Sequence, residues 1–193
     1  FQTHDDFYLV AGIDSNFENR SVFERKYKCK SFSSISSALS KVQPDIIVIA
    51  TPTKAHYSNV KEAVSKSNPI LILCEKPISY SLDEAREMIL LCKNNNTKLL
   101  INYIRRSDPS NIKIKEMIDN GMIRTPIKGV VWYSKGLLHN GSHFYDLLKH
   151  WFGPLTSNRI INNGRKVNNL DFEPDININF SGVSIFFLAA NEE

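Results

Sequence analysis

No apolar run in the chain approaches the roughly 20 residues that would span a bilayer, so a membrane partner is not expected. The opening FQTHDDFYLV lacks the basic and apolar regions of a secretory leader. Cysteine is sparse. Cys29, Cys74 and Cys92 are far apart and odd in number, which argues against a disulfide framework or a zinc cluster and suits the reduced thiols of a cytoplasmic protein. Neither charge dominates: 24 lysines and arginines against 20 aspartates and glutamates leave a net +4. The basic residues are scattered, with no stripe carrying interleaved aromatics, so no nucleic-acid partner is expected. Glycine is also scarce, at eight residues, and G-x-G-x-x-G occurs nowhere. What is present is a globular composition, 42% apolar and 23% charged, in 193 residues.

Hydrophobic patterning predicts alternating strands and helices. Strands are expected over 7–14 (FYLVAGID), 44–53 (PDIIVIATPT), 69–74 (PILILC) and 98–102 (KLLIN). Helices are expected over 16–28, 34–42, 55–67 and 81–96, the last opening with a capping box from Ser81 to Glu84. Continuous apolar strands separated by helices mean a parallel sheet covered on both faces. After residue 104 the pattern changes. A helix starts at Pro109, a strand covers 127–135, and a helix over 136–153 closes at Gly153-Pro154. Three short strand-like runs follow: RIIN, ININFS and VSIFFLAA. The expected fold is therefore α/β: a Rossmann-type doubly wound sheet over 1–104, then an α+β domain over 105–193 with a mostly antiparallel sheet.

In doubly wound sheets, dinucleotides bind against a Gly-rich first turn. The first legible strand here already ends in Asp14, the acid expected about 20 residues after that turn. The central strand and its turn, roughly one βα unit of 30 residues, are thus expected upstream of Phe1, with further strands beyond Glu193.

Several segments carry candidate chemistry. The apolar run ILILC meets Glu75-Lys76-Pro77 at the carboxyl edge of the expected sheet, where ligands of this architecture bind. Asp14 ends its strand as a ribose acceptor or as a plain turn former. Ala50 and Pro52, small or rigid, let the backbone lie close to a ligand; Thr51 and Thr53 can donate, and Thr53 can cap the next helix. Asn102, Tyr103 and Arg105 end the strand expected over 98–102 and face the crevice where a dinucleotide would lie. Arg106 is placed to hold an anionic substrate group, or else these residues form a basic surface turn before Pro109.

The order AGID, DIIVIATPTKAH, LCEKPIS, INYIRR, GSHFYDLLKHWFG resembles the Gfo/Idh/MocA family of NAD(P)-dependent oxidoreductases through nearly the whole chain. The resemblance implies NAD or NADP as cofactor. Asp14 would hold the adenosine ribose and favour NAD, while nearby Arg20 leaves NADP open. It places Ala50, Thr51, Pro52, Thr53 and His56 along the dinucleotide and Glu75 beside the nicotinamide ribose. It makes Lys76 the general acid/base and His143 its partner at the substrate. It also implies a homo-oligomer, a dimer or tetramer, and a sugar, polyol or nucleotide-sugar as substrate. The family pattern D-x-G-x-H-x-x-D is met at Gly141, His143 and Asp146, but its first position holds His139, followed by Asn140. Both are expected to shape the sugar site, and the missing carboxylate keeps open a second reading, a catalytically silent member that binds dinucleotide or sugar. On a straight helix His139 and His143 share a face. His139, His143, Asp146 and His150 would be strung over about 16 Å at 1.5 Å per residue, so no metal site is expected.

Overall fold

Short runs rich in isoleucine and leucine become strands in the first half of the chain because each is bounded by a turn or a capped helix. The computed structural model describes residues 4–168 and 170–190. It divides the chain into units Phe1–Ile101 and Asn102–Glu193, a few residues before the expected boundary.

In the first unit, β1 (Gly12–Ile13) pairs in parallel with β2 (Ser31–Phe32), with α1 (Phe17–Tyr27) connecting them and α2 (Ile35–Leu39) following. A second parallel sheet has the order β3-β4-β5, from β3 (Ile46–Ile49), β4 (Leu71–Cys74) and β5 (Lys98–Ile101). Helices α3 (His56–Ser67) and α4 (Leu82–Asn94) make its crossovers. Asn16 caps α1 by accepting from the N–H groups of Glu18 and Asn19. The core joins Ile49, Val60, Ile72, Cys74, Met88 and Cys92.

Three local expectations change. The strand expected over 7–14 is reduced to Gly12–Ile13, because its only partner among the described residues is the two-residue β2. On the other side of β1, toward β3, lies an apolar cleft of about 220 Å³ bordered by Leu9, Ala11, Ile13, Ile46 and Val48. The capping box is half formed: Ser81 accepts from the Glu84 N–H, but the Glu84 carboxylate accepts from the Ser79 hydroxyl, and the Ser81 N–H also turns to Ser79. Thr53 opens a 3₁₀ turn (Thr53–Ala55), and α3 begins without a side-chain cap.

The second unit begins with a 3₁₀ turn (Ile104–Ser107) and α5 (Pro109–Asp119), capped by Asp108. Its sheet runs β6-β9-β8-β7, from β6 (Ile127–Tyr133), β7 (Ser157–Asn168), β8 (Asp171–Phe180) and β9 (Val183–Ala189). The β7–β8 and β8–β9 pairs are antiparallel and β6–β9 is parallel. The inner face, with Ile178 opposite Ile185 and Phe180 opposite Val183, packs with Leu148 of α6 (Ser142–Phe152). Val130, Trp132 and Phe186 are exposed. The helix expected over 136–153 opens instead with a π turn (Leu137–Gly141). Among the described residues no helix is long and apolar enough to cross a membrane.

Ile72 is fully buried at the centre of β4, whereas Ile70 is 61% exposed one residue before that strand. Ile72→Ala is expected to cost about 2–5 kcal/mol and Ile70→Ala less than about 0.5 kcal/mol, read from urea unfolding midpoints.

Candidate active site

β3 and β4 run in register with Ile49 opposite Cys74, so both strands stop at one level. The Glu75 N–H continues the ladder, donating to the Ile49 carbonyl at 2.9 Å. The Ala50–Thr53 turn and the Glu75-Lys76-Pro77 loop therefore leave the sheet side by side at its carboxyl edge. Ala50, Thr51 and Pro52 are exposed, and the Thr51 hydroxyl accepts from the Asn59 side-chain amide at 2.9 Å. Glu75 and Lys76 are half-buried, and the Lys76–Pro77 peptide is cis. Beneath them Cys74 is fully buried, and burial pushes its thiol up to about 12, so it stays protonated at neutral pH and offers no thiolate.

Asp14 follows β1. One carboxylate oxygen accepts from the Asn16 N–H at 2.7 Å and the other from the Asn19 side chain at 3.0 Å. These bonds, the Asn16 one foremost, with help from the Arg20 charge, hold the carboxyl below its usual range. Each oxygen keeps a further lone pair for a ligand hydroxyl. Arg20 donates to the Asp14 and Ser15 carbonyls and lies over the Phe17 ring.

His56 is fully buried. Its Nδ1 lies 3.0 Å from the Pro77 carbonyl oxygen and 3.3 Å from that of Ile78, and its Nε2 lies 2.9 Å from that of Thr51. The ring joins the two loops from within rather than facing solvent.

In the second unit, the segment after β5 meets α6. The Tyr103 ring stands edge-on to His143, with centroids 5.9 Å apart. The Arg105 guanidinium lies 4.2 Å from the Phe144 ring centre. Arg106 forms a two-pronged ion pair with Asp146, its Nε donating at 2.6 Å. Asn102 and His143 are half-buried here, as is Asn140, and His139 is exposed. The π turn changes the face-sharing expected of His139 and His143, since Ser142 bonds back five residues to Leu137.

Residues 1–103 match the model of an oxidoreductase family with an NAD-binding Rossmann fold, Gfo/Idh/MocA. The chain belongs to that family. It is 40% identical to the uncharacterised oxidoreductase YrbE of Bacillus subtilis over 82 residues, 42% of this chain and 24% of that protein. It is 27% identical to an inositol 2-dehydrogenase of Rhizobium meliloti over 157 residues, 76% of this chain and 46% of that one. The chain therefore spans less than half the length of these curated relatives. Its fold is also that of the WlbA dehydrogenase from Bordetella pertussis, solved with NADH and UDP-GlcNAcA. That likeness has a TM-score of 0.81 at 20% identity, over 97% of this chain and 61% of that one.

Two residues of this family member escape a motif-based search, Asp171 and Glu173 of β8, both almost fully buried. The Asp171 carboxylate accepts from the N–H groups of Leu138 (3.0 Å) and His139 (2.8 Å). Glu173 accepts from the Gly136 N–H at 3.1 Å and from Arg165 at 2.8 Å. These carboxylates hold the π turn that carries His139. Gly136 has φ +96°, and a Cβ there would stand 2.1 Å from an Asp171 oxygen, so only glycine fits. The signal was in the sequence as acids spaced two apart in LDFEPD, which places them on one face of a strand.

Burial pushes the Glu173 carboxyl up, but Arg165 and the Gly136 N–H outweigh it, leaving the group below its ordinary value of 4.5. A carboxyl depressed in the folded state contributes stability that is full above its unfolded pKa and is lost as pH falls through the folded one. Thermal midpoints should therefore drop on acidification below about pH 4.5. Glu173→Gln should lower the midpoint at neutral pH and flatten that acid limb, as followed by circular dichroism.

Proposed function

We propose that this chain carries the cofactor face and the proton-transfer lysine of an NAD(P)-dependent dehydrogenase. Its substrate is a CH–OH group of a sugar, polyol or nucleotide-sugar. The observation that carries this reading is the placement of half-buried Lys76 at the carboxyl end of β4, beside the turn that ends β3. Family membership and the inositol 2-dehydrogenase among its relatives support the substrate class.

The residues present fit two parts of a dinucleotide. Asp14 offers the adenosine ribose a fixed carboxylate, and its charge disfavours a 2′-phosphate. Arg20, engaged with backbone carbonyls, leaves that preference intact, so NAD is the favoured cofactor. Ala50, Thr51, Pro52 and Thr53 line the path beyond the β3 turn, with Glu75, Asn102 and Arg105 toward the nicotinamide end. When bound, the nicotinamide supplies a hydride acceptor. Lys76 takes the hydroxyl proton as the C–H bond is lost, and returns it to the carbonyl oxygen in the reverse direction. His143, His139, Asn140 and Arg106 contact the substrate. Because Arg106 is paired with Asp146, an anionic substrate group would share it rather than meet an isolated cation. The exposed Val130, Trp132 and Phe186 on the outer sheet face suit a contact between copies in a dimer or tetramer.

His139 in place of the pattern's carboxylate favours one rival, a member that binds without turnover. The full-length protein, assayed by NADH absorbance against myo-inositol, aldoses and UDP-sugars, decides between them: tight NADH binding without any absorbance change supports the rival. On an active substrate Lys76→Met should lower kcat about 100- to 10,000-fold; unimpaired turnover removes the lysine from the mechanism. Asp14→Asn should reduce discrimination against NADP at least about 10-fold, measured as the ratio of NADPH to NADH dissociation constants.

A further inference from the structure

The loops that follow β3 and β4 leave the sheet ladder and with it the partners of their carbonyl groups. Backbone carbonyls drawn toward the interior need donors. Three of them, on Thr51, Pro77 and Ile78, converge on one fully buried ring, His56, at 2.9, 3.0 and 3.3 Å. The ring sits at the first residue of α3, which carries no side-chain cap, so its position is set by the helix while its nitrogens reach outward to both loops. A carbonyl oxygen only accepts, so each ring nitrogen bonds by carrying a proton. The doubly protonated ring makes both links together, and a neutral tautomer makes one.

From this geometry we propose that His56 is a positioning residue that locks the Ala50–Thr53 turn to the Glu75-Lys76-Pro77 loop. It would touch neither cofactor nor substrate, and would set the place of the lysine relative to the turn along which the dinucleotide lies. The proposal rests on the roles given above to Lys76 and to residues 50–53. It differs from the role the family resemblance suggests for His56, a direct contact with the dinucleotide: both ring nitrogens are turned to the protein's own backbone.

Two substitutions cut the links separately. An asparagine amide nitrogen stands near the place of Nδ1 and a glutamine amide nitrogen near that of Nε2. His56→Asn therefore keeps the Pro77 and Ile78 side and loses Thr51, while His56→Gln keeps Thr51 and loses the lysine loop. In the full-length protein, hydrogen–deuterium exchange should speed up over residues 50–55 in His56→Asn and over 75–81 in His56→Gln. The NADH dissociation constant, from fluorescence titration, should rise about fivefold in His56→Asn and less in His56→Gln. On an active substrate the order reverses for kcat, with a loss of about 10- to 100-fold in His56→Gln. Equal effects of the two variants on both loops, or none on either, in proteins that melt cooperatively, overturn the lock; if one variant fails to fold, the other decides by which loop it loosens. Lys76→Met separates this outcome from a failure of the dehydrogenase reading: if that variant keeps full turnover the mechanism is wrong, yet the exchange pattern still tests the lock.

Discussion

The register between β3 and β4 is the constraint on which the first unit depends. Parallel pairing sets Ile49 against Cys74, and the Glu75 N–H closes the last rung on the Ile49 carbonyl. A slip of one residue would turn Ile72 and Cys74 out of the core and Leu71 and Leu73 into it. It would also carry Lys76 away from the level of Thr51. Core packing and the layout of the strand ends therefore share one cause: the side chains that bury Ile72 also fix where the lysine loop begins.

Beyond the strand ends the backbone has no ladder to hold it, and buried polar side chains take over. In the first unit this is His56, enclosed among three carbonyls. In the second it is Asp171 and Glu173, which gather N–H groups at the start of the π turn. The arrangements are opposite in sign and alike in logic. A donor ring serves loops rich in unpaired carbonyls, and acceptor carboxylates serve a helix start rich in unpaired N–H groups. Such groups are costly to bury unless satisfied, so each fixes its segment in one conformation. The wider π turn follows from the same demand, since Gly136 must leave room for the Asp171 carboxylate that receives Leu138 and His139.

Much of this was legible beforehand, for identifiable reasons. Periodicity marks strands and helices wherever a segment buries a face by itself, as at 44–53, 55–67 and 69–74. It overreached at 7–14, where β1 has only a two-residue neighbour and most of the apolar run stays outside any strand. It also missed the π turn, because sequence spacing assumes a uniform helical pitch and the departure is imposed by carboxylates more than 30 positions away. Ser81 and Glu84 had the spacing of a capping box, yet a nearby hydroxyl, Ser79, competed for the glutamate.

By itself the sequence determined most element types, the two-part organisation and the strand ends on which Asp14, Thr51 and Lys76 stand, since these follow from local patterns of apolar and turn-forming residues. Tertiary structure alone decided which polar atoms meet. His56 turns inward to Pro77, Arg106 pairs with Asp146, and Glu173 serves both Gly136 and Arg165. Hydrogen-bond partnership depends on distances between segments remote in the chain. Spacing along the sequence carries no record of those distances until packing sets them.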